Sequence, residues 1–372
     1  MKAIKLLIKM ITISFAGSCA REVTTSTSAI KEIANTSPGV QYTMMKDFSV
    51  VMEATHGFAD IGKATPVDSG TLFNGNSVTK TLTAVAVLNL VDEGKMRLTE
   101  RVSTYLDSIP FKWDITIQQL LSHSSGLKNP IPLRWIHLQT EHQEFNKLKF
   151  FNAVMAGNTR QSNKPGSKFQ YSNLNYLILG YIIEKVSGVG YEEYVKSTII
   201  DPLGAQIFFK IDSSQRYAYG YQKRYTLMSA AMGFFLDEDK FIESKEQDWL
   251  KFKPFYNNGA AYGGSIGNAK AFNLYLQELM RGDSKIISAS SKNSMLTATE
   301  ESKGLMALSW FTGVLDGHRY FCHAGGGGGH YCEIRFYPDL NVSSVIMLNR
   351  SGMKDERLLD KTDRSLLRQL AR

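Results

Sequence analysis

The sequence predicts an α+β fold in which one sheet is assembled from strands at both ends of the chain, with a mainly helical region inserted between them. Two observations carry this. Strand-like residues occupy Val40 to Asp60 and the last 65 residues, while helical periodicity dominates the stretch between. Strands so distant in sequence can share a sheet only if the middle is an insertion. The expected division is a sheet domain from 39–70 and 286–372, and a mainly helical domain over 71–285.

The first eighteen residues have a basic start, an apolar middle and a small-residue end, which is the layout of a secretory signal, although Lys9 splits the apolar middle. They run into Cys19 through Ala16-Gly17-Ser18, which resembles a lipoprotein cleavage site and makes Cys19 a candidate for lipidation and membrane anchoring. The expected location is the periplasm or cell envelope. Residues 19–38 are rich in Ser and Thr without a sustained apolar period and read as a linker.

Early strands follow in Val40 to Asp60, with Gly57 as an interruption. The clearest helix spans Val78 to Asp92, where Val78, Leu82, Val85 and Leu88 are apolar and Gly94 ends the run. Further helices are expected at Ile117 to Leu121, Leu174 to Val186, Tyr191 to Ile199 and Ala269 to Leu279. The strands then return at Leu308 to Leu315, Arg319 to Cys322, Tyr331 to Tyr337 and Val342 to Leu348. Cys332, Ile334 and Phe336 face one way and Glu333 and Arg335 the other. Leu358, Leu359, Leu366, Leu367 and Leu370 give a closing helix, Asp355 to Leu370, its apolar face.

Composition removes several classes of function. A 372-residue chain that is 43% hydrophobic, with 20 Phe, 17 Tyr and 4 Trp, has ample area for a core and is not disordered. Beyond the N-terminus no run of eighteen uncharged apolar residues could span a membrane. The net charge of +8 falls to +5 without Lys2, Lys5 and Lys9, and the remaining basic residues are scattered, so no nucleic-acid partner is expected.

Three short patterns could carry chemistry. Ser77 opens the strongest helix and Lys80 lies one turn on, so an amine can sit beside a hydroxyl and receive its proton. The spacing recurs at Ser28/Lys31, Ser125/Lys128 and Ser351/Lys354, and the helix context singles out Ser77. Tyr171-Ser172-Asn173 offers a phenol that a nearby ammonium would lower toward neutral pH, with Asn173 as a polar contact; Tyr256-Asn257-Asn258 repeats the pattern. The third is His323-Ala324 followed by five glycines and His330, a place where the chain turns or another group approaches the backbone closely. No Gly-Lys-Ser/Thr follows it, so a phosphate loop is rejected, and no further ligand accompanies the two His, so neither metal nor organic cofactor is expected.

Rival readings were weighed. Gly263-Gly264-Ser265-Ile266-Gly267 fits a nucleophile elbow but lacks the preceding strand. His123 has no third partner and reads as structural. Cys322 and Cys332 flank an expected turn and could form a disulfide or simply be buried.

Taken in order, Ser77-x-x-Lys80, Tyr171-x-Asn173 and His323-x-Gly325 resemble the serine β-lactamase and penicillin-binding-protein superfamily, in its class C β-lactamase-like branch. LLSHSSGL at Leu120 to Leu127 and Pro165-Gly166 add to the likeness, which covers roughly residues 40 to 350. The resemblance implies an antiparallel sheet flanked by helices, with the active site in a groove beside the helical domain. It makes Ser77 the acylated nucleophile, Lys80 its proton partner and Tyr171 the base, with Asn173 and His323 lining the groove and Gly325 in the third motif. The oxyanion hole would use the N–H groups of Ser77 and Gly326. His323 stands where many β-lactamases carry Lys, which weakens carboxylate recognition and favours an esterase or D-amino-acid peptide hydrolase over an efficient β-lactamase. Small-molecule or cell-wall peptide substrates are the expected partners. A catalytically idle envelope protein that keeps the groove is the alternative. Substrate and oligomeric state are not legible in the sequence.

Overall fold

The computed structural model describes residues 28–106, 110–130, 134–352 and 357–370. The signal segment and Cys19 lie outside these residues, as does Lys354 of one Ser-x-x-Lys match. The centre is a seven-stranded sheet made of β1 (Gly39–Lys46), β2 (Ser49–Asp60), β3 (Thr65–Pro66), β4 (Phe311–Leu315), β5 (His318–Gly327), β6 (His330–Tyr337) and β7 (Val342–Leu348). Their order is β4-β5-β6-β7-β1-β2-β3, with every neighbouring pair antiparallel. The two ends of the chain meet at its middle, where Val40 pairs with Leu348. Gly57, at φ +72°, lies within β2 and does not end it.

Both faces of the sheet are covered, which explains why all eight residues of β6 are buried. On the inner face Cys332, Ile334, Phe336, Val345 and Met347 join the main core, together with the helices Thr79–Asp92, Asn173–Ser187 and Ala269–Met280. The first of these is buried nearly all round, as expected of a helix that is apolar on every side. On the outer face Val40, Tyr42, Met44, Ile346 and Leu348 pack with Leu358, Leu359, Leu366 and Leu367 of the last helix, Leu358–Leu370. Ile30 and Ile33 join them from a short helix over residues 28–34. That helix corrects the linker expectation, because Ile30 and Ile33, one turn apart, find an apolar face to cover.

The polar side of β6 faces this outer layer and not solvent. Arg335 ion-pairs with Glu333 at 2.7 Å and with Asp360 at 2.7 Å. Asp363, fully buried, accepts hydrogen bonds from Tyr42, Tyr337 and Ser344. Burial pushes the carboxyl groups of Glu333 and Asp363 above their ordinary range.

Segment 71–285 carries helices and also small sheets that the sequence did not announce. One joins Tyr221–Lys223, Ile242–Glu246, Trp249–Phe252 and Arg350–Ser351; another pairs Ile136–Leu138 with Phe255–Asn257. Strand β5 continues through His323 to Gly327, so only Gly328 and Gly329 remain for the turn to β6. The disulfide alternative falls with that register: Cys332 lies opposite Gly325 and Cys322 opposite Arg335, which places the thiols on opposite faces, and both are free.

Candidate active site

Ser77 lies in a single 3-10 turn, Asn76–Val78, that feeds the helix Thr79–Asp92. Asn76 holds the left-handed backbone at φ +48°, a conformation that Asn tolerates better than most side chains. Its Nδ2 donates to the carbonyl of Gly327 at 3.3 Å, which ties the nucleophile turn to the β5–β6 hairpin. Gly325 faces that turn so closely that a Cβ would stand 2.4 Å from the Gly75 carbonyl oxygen. The glycine run therefore serves a close approach, and Gly326 lines the groove beside Ser77.

The helical spacing brings Lys80 Nζ to 2.9 Å from Ser77 Oγ, and the same nitrogen donates to the Tyr262 carbonyl at 2.7 Å. From the other side the Tyr171 hydroxyl donates to Ser77 Oγ at 2.9 Å. Lys80 from the same helical turn and Tyr171 from 94 residues away thus converge on one oxygen. Tyr171 is held by His123, whose ring lies 4.3 Å away between centroids. His123 Nδ1 in turn accepts from the Ser172 N–H and the Asn175 side chain, which fits the structural role expected of it.

The electrostatics reverse one expectation. Lys80 is fully buried, and loss of hydration pushes its pKa well below the ordinary lysine value. Three aromatic rings, Tyr171, Tyr176 and Tyr262, lie 5.2 to 5.8 Å from Nζ and offset part of that penalty for the charged form. Burial pushes the Tyr171 phenol up, where the sequence reading expected an ammonium to lower it. Burial thus disfavours both the ammonium of Lys80 and the phenolate of Tyr171.

Asn173 begins the helix Asn173–Ser187 and lines the groove. His323 does not. It is fully buried in β5 against Phe311, Nδ1 lies 2.9 Å from the Ala324 carbonyl oxygen, and burial together with the Lys80 charge holds its pKa at about 3. The expected partly charged groove residue is therefore a neutral buried one. His330 packs elsewhere, against Phe73 and Tyr217. Among the described residues no group of three or more His, Cys, Asp or Glu is placed to hold a metal ion. Ser265 is buried, with Oγ 2.7 Å from Thr79 Oγ1, and props the nucleophile turn from behind.

The groove, open to solvent on one side, spans about 550 Å³ with that solvent included. One wall is Ile136, Leu236, Phe252 and Phe255, and the other carries Ser77, Asn173, Asn257 and Gly326. Among the described residues none of the lining side chains is Lys, Arg, His, Asp or Glu. Asn257, within the repeated Tyr-x-Asn pattern that seemed incidental, donates to the Gly263 carbonyl at 2.6 Å. Asn76, Asn257 and the Tyr262 carbonyl are the functional groups the sequence reading missed. Only the Asn beside Ser77 and the second Tyr-x-Asn pattern left any trace there.

Comparison with known proteins places this arrangement. The family model described as Beta-lactamase matches residues 27–368. Protein flp of Staphylococcus aureus (strain COL) is 26% identical over 321 residues, covering 84% of this chain and 59% of that protein. The chain therefore spans about three fifths of the length of this curated relative. Among solved structures, D-amino acid amidase from Ochrobactrum anthropi SV3 superposes with a TM-score of 0.78 at 17% identity, over 94% of this chain and 99% of that one. The octameric penicillin-binding protein homologue from Pyrococcus abyssi gives 0.75 at 23% identity, over 94% and 77%. At these identities the structural likeness speaks for the fold alone.

Proposed function

The chain belongs to the Beta-lactamase family, and on that premise we propose that it is a serine hydrolase that forms an acyl-enzyme on Ser77 and opens uncharged ester or amide bonds. The carrying observation is the convergence of Lys80 Nζ and the Tyr171 hydroxyl on Ser77 Oγ, each at 2.9 Å.

In acylation, Oγ attacks the carbonyl carbon while its proton passes to the neutral Lys80 amine. The Ser77 and Gly326 N–H groups receive the charge that develops on the carbonyl oxygen. As the tetrahedral species collapses, the leaving atom takes the Tyr171 proton, which the Lys80 ammonium replaces. Water then attacks the acyl carbon and gives a proton to the same pair, which returns it to Ser77 Oγ as the bond between Oγ and the acyl carbon breaks. The balance is one ester or amide and one water consumed, one acid and one alcohol or amine released.

The uncharged lining supports the preference within this chemistry. Among the described residues no cationic side chain lines the groove, the buried Lys80 is committed to Ser77 and the Tyr262 carbonyl, and a His323 held neutral adds no charge for a free carboxylate. Esters and neutral amides are therefore favoured over β-lactams and over peptides with a free C-terminus. Residues 1–18 and Cys19 keep their proposed roles in export and lipid attachment, on the signal layout alone. Cell fractionation with a Cys19→Ala variant tests those roles.

The test of the chemistry is intact-mass detection of an adduct after exposure to a fluorophosphonate. The wild type and Ser265→Ala should acquire one adduct and Ser77→Ala none. Labelling of Ser77→Ala, or a folded wild type that never labels, overturns the proposal. A panel of p-nitrophenyl esters, nitrocefin and D-alanyl peptides then ranks the substrates.

A further inference from the structure

The Ser77 groove does not stop at its own wall. A second, more open hollow lies beside it, and Ile136 and Leu236 line both. The outer side of that hollow includes Phe234 and Phe235, at the end of the helix Leu227–Phe235. Thr226 starts this helix by accepting from the Ser229 N–H. Beneath it Met232, Leu236, Phe252 and Phe255 belong to a small core separate from the two large ones, and the last three of these also form the apolar groove wall.

This helix is unusual in what it leaves outside. Leu227 is 92% and Phe234 81% exposed, and Tyr225 just before it is 84% exposed. A lone exposed apolar residue needs no explanation, but Phe234 and Phe235 line the hollow that shares Ile136 and Leu236 with the reactive groove, and that continuity marks a binding surface. The apolar track leads from Ser77 across Ile136 and Leu236 to Phe234. Charged side chains also border the outer hollow, Arg134, Asp237 and Lys240, the last paired with Glu141 at 2.7 Å, so the apolar path between them is Ile136, Leu236, Phe234 and Phe235.

We propose that this track is a subsite for a hydrocarbon chain, so that the substrates are esters or amides bearing an extended acyl or alkyl group. The proposal rests on the hydrolase reading of Ser77. Continuity selects the occupant: a chain attached to the carbonyl at Ser77 is delivered onto Ile136 and Leu236 by the same binding event that presents the bond to be cut. A polar peptide would strip water from its amides against a wall that offers them few partners.

The experiment compares kcat/KM for p-nitrophenyl acetate, butyrate, octanoate and decanoate, each below its micellar concentration. Each methylene laid on the track contributes up to about fourfold, so kcat/KM should climb steeply from acetate to decanoate. In a Phe234→Ser/Phe235→Ser variant, shown to be folded by its Tm, the decanoate-to-acetate ratio should fall at least about tenfold. A flat chain-length profile in the wild type, or an unchanged ratio in the folded variant, overturns the subsite while leaving the hydrolase reading intact. An unchanged ratio with a change from dimer to monomer in sedimentation assigns the helix to self-association and likewise overturns it. A wild type that neither labels at Ser77 nor cleaves acetate removes the hydrolase reading and the subsite with it.

Discussion

Gly325 and Ser77 are fitted together at backbone distance: a Cβ on the glycine would stand 2.6 Å from the Ser77 nitrogen, closer than real Cβ atoms come. The strand that lines the groove and the turn that carries the nucleophile are therefore positioned by the absence of one carbon. Gly326, one residue on, has nothing nearer than 3.7 Å to such an atom.

Gly325→Ala should accordingly push β5 off the nucleophile turn, at a cost of about 1–3 kcal/mol in stability and about 10²-fold in kcat/KM. Gly326→Ala should stay within about 0.5 kcal/mol of the wild type. Urea melts of the two variants side by side check the contrast; equal losses would mean that the close approach is relieved elsewhere.

Lys80→Met should lower kcat about 10²–10⁴-fold yet raise the stability of the fold, because it removes a buried amine that pays for desolvation. The folded pKa lies below the ordinary lysine value of 10.5, so between the two the unfolded chain binds the extra proton and wild-type stability rises with pH. The advantage of Lys80→Met is therefore full at pH below the folded value and fades as pH approaches 10.5. Thermal melts of both proteins across that range measure it.

The rate should follow the same proton. If the neutral amine of Lys80 accepts the Ser77 proton, kcat/KM falls on acidification with a half-point below the ordinary lysine range. Tyr171→Phe should lower the plateau by about 10²-fold or more and leave the half-point in place. A half-point that vanishes in Tyr171→Phe would give the base role to the phenol.

On the far side of the sheet, Arg335→Met leaves Glu333 and Asp363 buried without their cation. It should cost about 3–5 kcal/mol, seen as a lower urea midpoint with an unchanged denaturant slope. The Ser77 adduct should still form in the folded fraction, because the network lies on the face opposite the groove.

What the sequence disclosed depended on whether the signal was local. The helix at Ser77 and the helix after Tyr171 announced themselves through runs of apolar residues, and their motifs came together as a spacing argument anticipates. The groove wall did not, since Phe252 and Phe255 sit on strands of three or four residues, too short for a clear period, and the partners Ile136–Leu138 and Tyr221–Lys223 lie far away in the chain. Nor could a spacing rule reveal the Tyr262 carbonyl, which is a backbone atom, or the burial that neutralises His323. Ile30 and Ile33 were overlooked because their Ser- and Thr-rich surroundings masked a single helical turn. Of the two readings left open for the cysteine pair, burial holds for Cys332, and the disulfide fails because the two positions fall on opposite faces of the hairpin.

The pairing of Val40 with Leu348 has a consequence for how the molecule is made. Strand β1 waits for the central strand, β7, which is synthesised almost last, so the final core forms only after nearly the whole chain is available, and long-range pairing of this kind is slow. A chain that stays open that long can still be threaded through a membrane, the journey proposed for residues 1–18. Loss of the last few strands would leave β1 paired with β2 on one side alone, its other edge free to pair with other chains.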